Sequence, residues 1–114
     1  MHAVVEMEEF IKCSEKIGMT DDERFDLISY LADNPDAGDE IKGTGGMRKL
    51  RVAGKGKGKS GGYRVITFFS GENIPVFLIS AYAKNQKENI NAQDKKYYKQ
   101  IACAIVEAYG RIKS

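Results

Sequence analysis

Histidine is almost absent from this 114-residue chain: the one copy, His2, stands next to Met1 and far from every basic cluster. Imidazole is the side chain that titrates nearest neutral pH, so chemistry built on it has nothing central to use here. His2 reads as a surface residue of the terminus. Cysteine is scarce as well. Cys13 and Cys103 stand 90 residues apart, without a second pair or a metal-ligand spacing, which excludes a disulfide framework and a zinc site of the usual pattern. Both fall on expected helices, and reduced, buried thiols are the expectation, as in a cytoplasmic protein. No apolar run approaches the roughly 20 residues that span a bilayer. The opening MHAVVEMEEF has no basic start and carries acids where a signal peptide would be apolar. Acids are also few after residue 41: four, scattered, with no pair suited to a hydrolytic dyad or a metal.

What is present is ordinary for a folded domain, with 42% hydrophobic and 30% charged residues. The length fits one domain over residues 1–114 with a single core. The net charge of +2 hides a division. Residues 1–41 hold twelve acids and three bases, a balance of −9; residues 42–114 hold fifteen bases and four acids, a balance of +11. Such a split points to a basic working surface for a polyanion on the later two-thirds of the chain. Acidic helices that merely solvate one side are the alternative.

Residues 2–7 read as a short strand centred on Val4 and Val5. Met7, Phe10 and Ile11 then follow helical spacing up to Gly18. Thr20 followed by Glu23 is a capping box, and its helix is expected to bury Phe25, Ile28, Leu31 and Ala32 before Asn34-Pro35 ends it. Residues 35–46 are loop-like, punctuated by Pro35, Gly38, Gly43, Gly45 and Gly46. Strands are expected over 47–53, 62–69 and 74–83, the last two joined by a turn at Ser70-Gly71-Glu72-Asn73. Asn91, with Asp94 three residues on, caps a last helix whose buried face reads Tyr97, Ile101, Ala104, Ile105, Ala108 and Ile112. The order β-α-α-β-β-β-α predicts an α+β domain, with helices over a curved, mostly antiparallel sheet.

Between Lys42 and Arg64 lie eight bases, eight glycines and no acid. Lys55, Lys57 and Lys59 alternate with Gly56 and Gly58, so an extended backbone would aim all three ammonium groups to one side. Glycines between them leave room for a phosphate-bearing ligand near the main chain. Gly58-Lys59-Ser60 resembles the end of a P-loop. A P-loop requires a helix immediately after it, and here Gly61-Gly62 lead into a strand, so that reading fails.

The run GTGGMRKLRVAGKGKGKSGGYRVITFF, with LISAYAKNQKENINAQ before the final helix, resembles the RelE/HigB toxins of bacterial toxin–antitoxin modules. It is nearest the HigB-type branch, through GTGG, RK-R-A, GKGK and Y-KN, and the match covers residues 41–93. The resemblance implies an α+β toxin with a basic concave sheet face for ribosome-bound messenger RNA. It implies cleavage by attack of the ribose 2′-hydroxyl on the adjacent phosphate, without a metal or other cofactor, and a cognate antitoxin that neutralises the activity. Lys57 and Arg64 fall where RelE-type enzymes place a catalytic lysine and arginine; Lys84 matches a basic residue after the last strand, and Lys55 a neighbouring lysine. Arg48, Arg51, Lys59, Tyr63, Tyr82 and Asn85 join Lys55 as candidate RNA contacts. The tyrosine that some relatives use would fall near Ile90, which transfers no proton, and Tyr82 is the candidate replacement.

With no useful histidine, lysine is left as the base. Free lysine titrates at roughly 10.4, and nearby cations such as Lys55, Lys59 and Arg64 lower that value while bound phosphate raises it. Lys57 is therefore the candidate base, with Arg64 and Lys84 clamping the phosphate. A purely phosphate-binding loop is the competing role for the lysines. Arg48, Lys49 and Arg51 read as ribosomal RNA contacts or solvated strand residues rather than as chemistry, and Tyr63 and Tyr82 as base-stacking or as core packing. Two other functions fit the same fold: a gyrase-binding toxin of the ParE type, and a non-catalytic module that binds RNA or the ribosome.

Overall fold

The computed structural model describes residues 2–53, 62–71, 73–83 and 90–113, with side chains as far as residue 109. Strand β1 (Val4–Glu6) leads into helices α1 (Glu8–Lys16) and α2 (Asp21–Asp33). A two-residue strand β2 (Asp39–Glu40) precedes β3 (Met47–Ala53), β4 (Gly62–Phe68) and β5 (Val76–Ala83), and helix α3 (Ala92–Lys113) closes the chain. The five strands form one mixed sheet in the order β1-β5-β4-β3-β2; β1 runs parallel to β5 and every other pairing is antiparallel. The sequence missed β2 because two exposed acids carry no alternation to read. Gly38, at φ +95°, lets this edge approach: a Cβ there would stand 2.8 Å from the Lys49 carbonyl oxygen.

Both capping boxes form. Thr20 Oγ1 accepts from Glu23 N at 3.1 Å, and Glu23 Oε1 accepts from Thr20 N at 2.8 Å. Asn91 Oδ1 accepts from Asp94 N at 2.8 Å, and Asp94 Oδ2 from Asn91 N at 3.2 Å. These bonds satisfy main-chain donors that a helix start leaves unpaired.

Each sheet face has its own helical cover. On one, Phe10, Leu27 and Leu31 of α1 and α2 pack with Val65, Leu78 and Ala81. On the other, Tyr98, Ala102 and Ile105 of α3 pack with Met47, Ile66, Phe68 and Ile79. Four expectations are corrected. Phe25 is 68% exposed, because the inward stripe of α2 runs through Glu23, Leu27 and Leu31, nearly opposite it on the helix. On α3 the buried line is Tyr98, Ala102 and Ile105: of the expected face Ile105 is buried and Ile101 packs beside it, but Tyr97, Ala104 and Ala108 are exposed. Nor are the thiols buried: Cys103 is exposed and Cys13 half-buried, 3.8 Å from Ser80 Oγ. His2 is likewise no free surface residue, since its ring nitrogen Nε2 meets the Ile74 carbonyl oxygen at 3.1 Å and its edge packs on Phe69.

Burial of the Tyr98 hydroxyl between α3 and the sheet pushes its pKa up to about 12, against a smaller opposing pull from Ser80. A folded pKa above the unfolded value of about 10 means that the native state holds its proton longer. Stability from this group is complete below pH 10 and is lost as pH rises through about 12. Urea midpoints measured across that window should fall in the wild type and fall less in Tyr98→Phe; parallel curves would exclude Tyr98 as the source.

Candidate nucleic-acid interface

Strand register decides which bases share a surface. In β3, Leu50 and Val52 face the α1/α2 cluster while Met47 faces α3, so Lys49 and Arg51 project on the α3 side and Arg48 on the other. In β4, Tyr63 and Val65 face α1/α2, and Arg64 between them projects on the α3 side. Arg51 pairs with Arg64, and Arg64 with Tyr82 of β5. Tyr82 belongs to the α3-side cluster. The row Arg51–Arg64–Tyr82 therefore crosses three strands on one face.

Tyr82 holds its place in that row through a bulge. The β4–β5 register shifts between Ile66 and Thr67, whose partners are Ser80 and Leu78, so Ile79 is passed over. A regular strand would turn Tyr82 to the side of Leu78, because faces alternate every residue. One extra residue restores the phase.

Two arginines directly across a strand pair repel each other. Neither they nor Lys49 form an ion pair or side-chain hydrogen bond with a described residue; the ion pairs among those residues are Arg24 with Glu6 at 2.9 Å and with Asp21 at 3.9 Å. Arg51 is exposed, and Lys49 and Arg64 are half-buried. Charge uncompensated by the described residues suits an anion, and paired guanidinium groups suit the geometry of a phosphate.

The other candidates separate. Arg48 Nη1 donates to the Gly38 carbonyl at 3.1 Å on the opposite face. Tyr63 is also on that face, where its hydroxyl donates to Glu23 Oε1 at 3.2 Å. Partial burial first, then the charge and hydrogen bond of Glu23, raise the Tyr63 pKa. Glu23, itself buried, thus ties the start of α2 to the strand carrying Arg64. Ile90 packs against the α3-side core. Lys55, Lys57, Lys59, Lys84 and Asn85 lie outside the described residues. The described strands end next to the row, where Ala53 pairs with Gly62 and Tyr63 with Ala83. Lys49, read from the sequence as an RNA contact or a solvated strand residue, falls on the same face as the row by period-two alternation within β3. Among the described residues no group of three or more His, Cys, Asp or Glu could hold a metal ion.

A family model described as the RelE toxin of the RelE/RelB toxin–antitoxin system matches residues 4–111. The chain belongs to the RelE toxin family. It is thus a toxin of the toxin–antitoxin type. Among solved structures it is similar to an arginine double mutant of the Escherichia coli toxin RelE in the free state, with a TM-score of 0.55 and 21% identity over 76% of this chain and 87% of that one. That likeness bears on the fold, and it agrees with the helix and strand order described above. No helix among the described residues is long and apolar enough to cross a membrane.

Proposed function

We propose that this toxin is an endoribonuclease that cuts messenger RNA on the ribosome in the cytoplasm and is neutralised by a cognate antitoxin protein. The observation that carries this reading is the Arg51–Arg64 pair: two like charges in register, without a counter-ion among the described residues, near the strand ends Ala53 and Ala83 that precede Lys57 and Lys84 in the sequence. In the reaction, a ribose 2′-hydroxyl loses its proton and attacks the adjacent phosphorus. The bond to the 5′-oxygen breaks, leaving a 2′,3′-cyclic phosphate and a 5′-hydroxyl that takes up a proton. Lys57 is the candidate base, and Arg64 and Lys84 neutralise charge building on the phosphorane. Arginine stays protonated throughout, so its part is electrostatic. Tyr82, in the same row but packed into the α3-side core, is the candidate proton donor to the leaving oxygen only if substrate binding uncovers its hydroxyl. Such modest groups suit an enzyme whose substrate is bent into line by the ribosome, because positioning alone supplies much of the barrier reduction.

Purified protein incubated with a defined messenger RNA should cut only when programmed ribosomes are present, and the new ends should carry the cyclic phosphate. Intact RNA in both lanes, with folded protein that inhibits gyrase supercoiling, would replace this reading with the ParE type.

A further inference from the structure

A second group of cations lies apart from the arginine row. On α3, Lys99 follows Lys96 by three residues and Lys95 by four, spacings that bring side chains together on one helix surface. Tyr97 points the other way, its hydroxyl donating to Glu9 of α1 at 2.9 Å. Against the lysine side of α3 lies the glycine loop that leads into β3. A Cβ on Gly43 would come within 3.9 Å of Lys95 Cδ, and one on Gly45 within 3.7 Å of Ala102 Cβ. Thr44 pins that loop: its fully buried hydroxyl donates to the Ile41 carbonyl at 2.5 Å and accepts from Met47 N at 3.2 Å. Lys42 enters the loop, exposed. A groove between loop and helix is lined by Gly45, Lys96, Lys99 and Gln100.

None of Lys42, Lys95, Lys96 and Lys99 forms an ion pair with a described residue. Like charges at i, i+4 cost helix stability, so nothing in the fold itself rewards the cluster. Farther along α3 the groove turns apolar and meets Glu107, which limits the cationic stretch to its first half. That half covers the same sheet face on which Lys49, Arg51 and Arg64 project.

We propose that Lys42, Lys95, Lys96 and Lys99, with the Gly43–Gly46 loop between them, whose one side chain beyond glycine, Thr44, is turned inward, form a second RNA contact that grips the sugar–phosphate backbone of structured RNA without reading its sequence. Point-charge ammonium groups on flexible stems suit a run of phosphates rather than one oriented phosphate, which is where the arginine row is better fitted. Glycines let a backbone come close to the main chain. An RNA surface held at α3 would dock the toxin in one orientation, with the arginine row beside it on the same side. The inference deepens the reading of this protein as a ribosome-acting nuclease, but its readout is binding alone, so the two fail separately.

The test compares Lys96→Ala with Lys99→Ala as a double variant, both positions being exposed, with the matching double arginine variant and with Lys12→Ala plus Lys16→Ala on α1 as a charge-matched control. Equilibrium binding to empty ribosomes and to a short RNA hairpin is measured across salt. Each lost phosphate contact lowers the log–log salt slope by about 0.7–0.9, so the alanine pair should lose about 1.5. The arginine pair and the α1 control should keep the wild-type slope. A wild-type slope in the alanine pair overturns the proposal, and so does an equal loss in the α1 control, which would make the effect one of net charge. Unchanged RNA binding with weakened hold on the antitoxin also overturns it, in favour of a protein-docking surface. Wild-type protein that binds with the full slope yet cuts nothing sinks the nuclease reading and leaves this one standing.

Discussion

Replacing Arg64 by alanine should slow single-turnover cleavage on programmed ribosomes by about 10²–10³-fold, the usual effect of removing one preorganised group that meets developing charge. Stability should hardly change. Arg64 is half-buried, its neighbour Val65 is fully buried, and Tyr63 is tethered to Glu23, so the strand is fixed without the guanidinium. Removal also relieves repulsion from Arg51 across the pair, and the melting temperature should hold or rise slightly. Ribosome binding should lose about one unit of salt slope, the share of a single phosphate contact. Arg64→Lys separates charge from shape: lysine restores the charge but cannot form the two-pronged contact, so its rate should fall between the two. A cleavage rate for Arg64→Ala within a few-fold of wild type would remove this residue from the reaction.

Phe10→Ala carries the largest expected loss of stability. Phe10 is fully buried where α1 lies on the sheet, in one cluster with Leu31, Val65 and Leu78. Truncating a buried phenylalanine costs about 3–5 kcal/mol, against a typical total of about 5–15 kcal/mol for a whole domain. Urea unfolding should show a much lower midpoint with the slope unchanged, the sign that the loss lies in the native state. A loss under about 1 kcal/mol would mean that the α1 layer closes over the gap, and would contradict the tight packing expected of such cores. Cleavage at low temperature should survive in the folded fraction, because Phe10 and the arginine row occupy opposite faces of the sheet.

Elements whose signal is local were legible in the sequence. Thr20 with Glu23, and Asn91 with Asp94, mark helix starts by chemistry that depends on three residues, and both form as expected. Strand β3 has the expected bounds, while β4 and β5 are shorter by one and two residues at a single end each. Facing was harder. The rotation of α2 away from Phe25, and of α3 away from Tyr97, depends on which side of the sheet each helix covers, and spacing within one helix cannot supply that. The site divides in the same way. Arg48, Lys49, Arg51, Tyr63 and Arg64 were all named from the sequence, but only the register pairs Arg51 with Arg64, puts Lys49 on their side, and turns Arg48 and Tyr63 to the opposite one.

The irregularity at Ser80 has a consequence for how chain length can vary in this sheet. Because the β4–β5 ladder already passes over one residue, β5 carries a spare position, and losing it would restore plain alternation without turning Tyr82 from Arg64. An added or missing residue in β4 between Arg64 and Ile66 has no such allowance and would send the arginine to the α1/α2 side. Insertions and deletions should therefore be tolerated very unequally in two neighbouring strands. A deletion scan scored for cleavage should find β5 forgiving at Ser80 and β4 intolerant throughout.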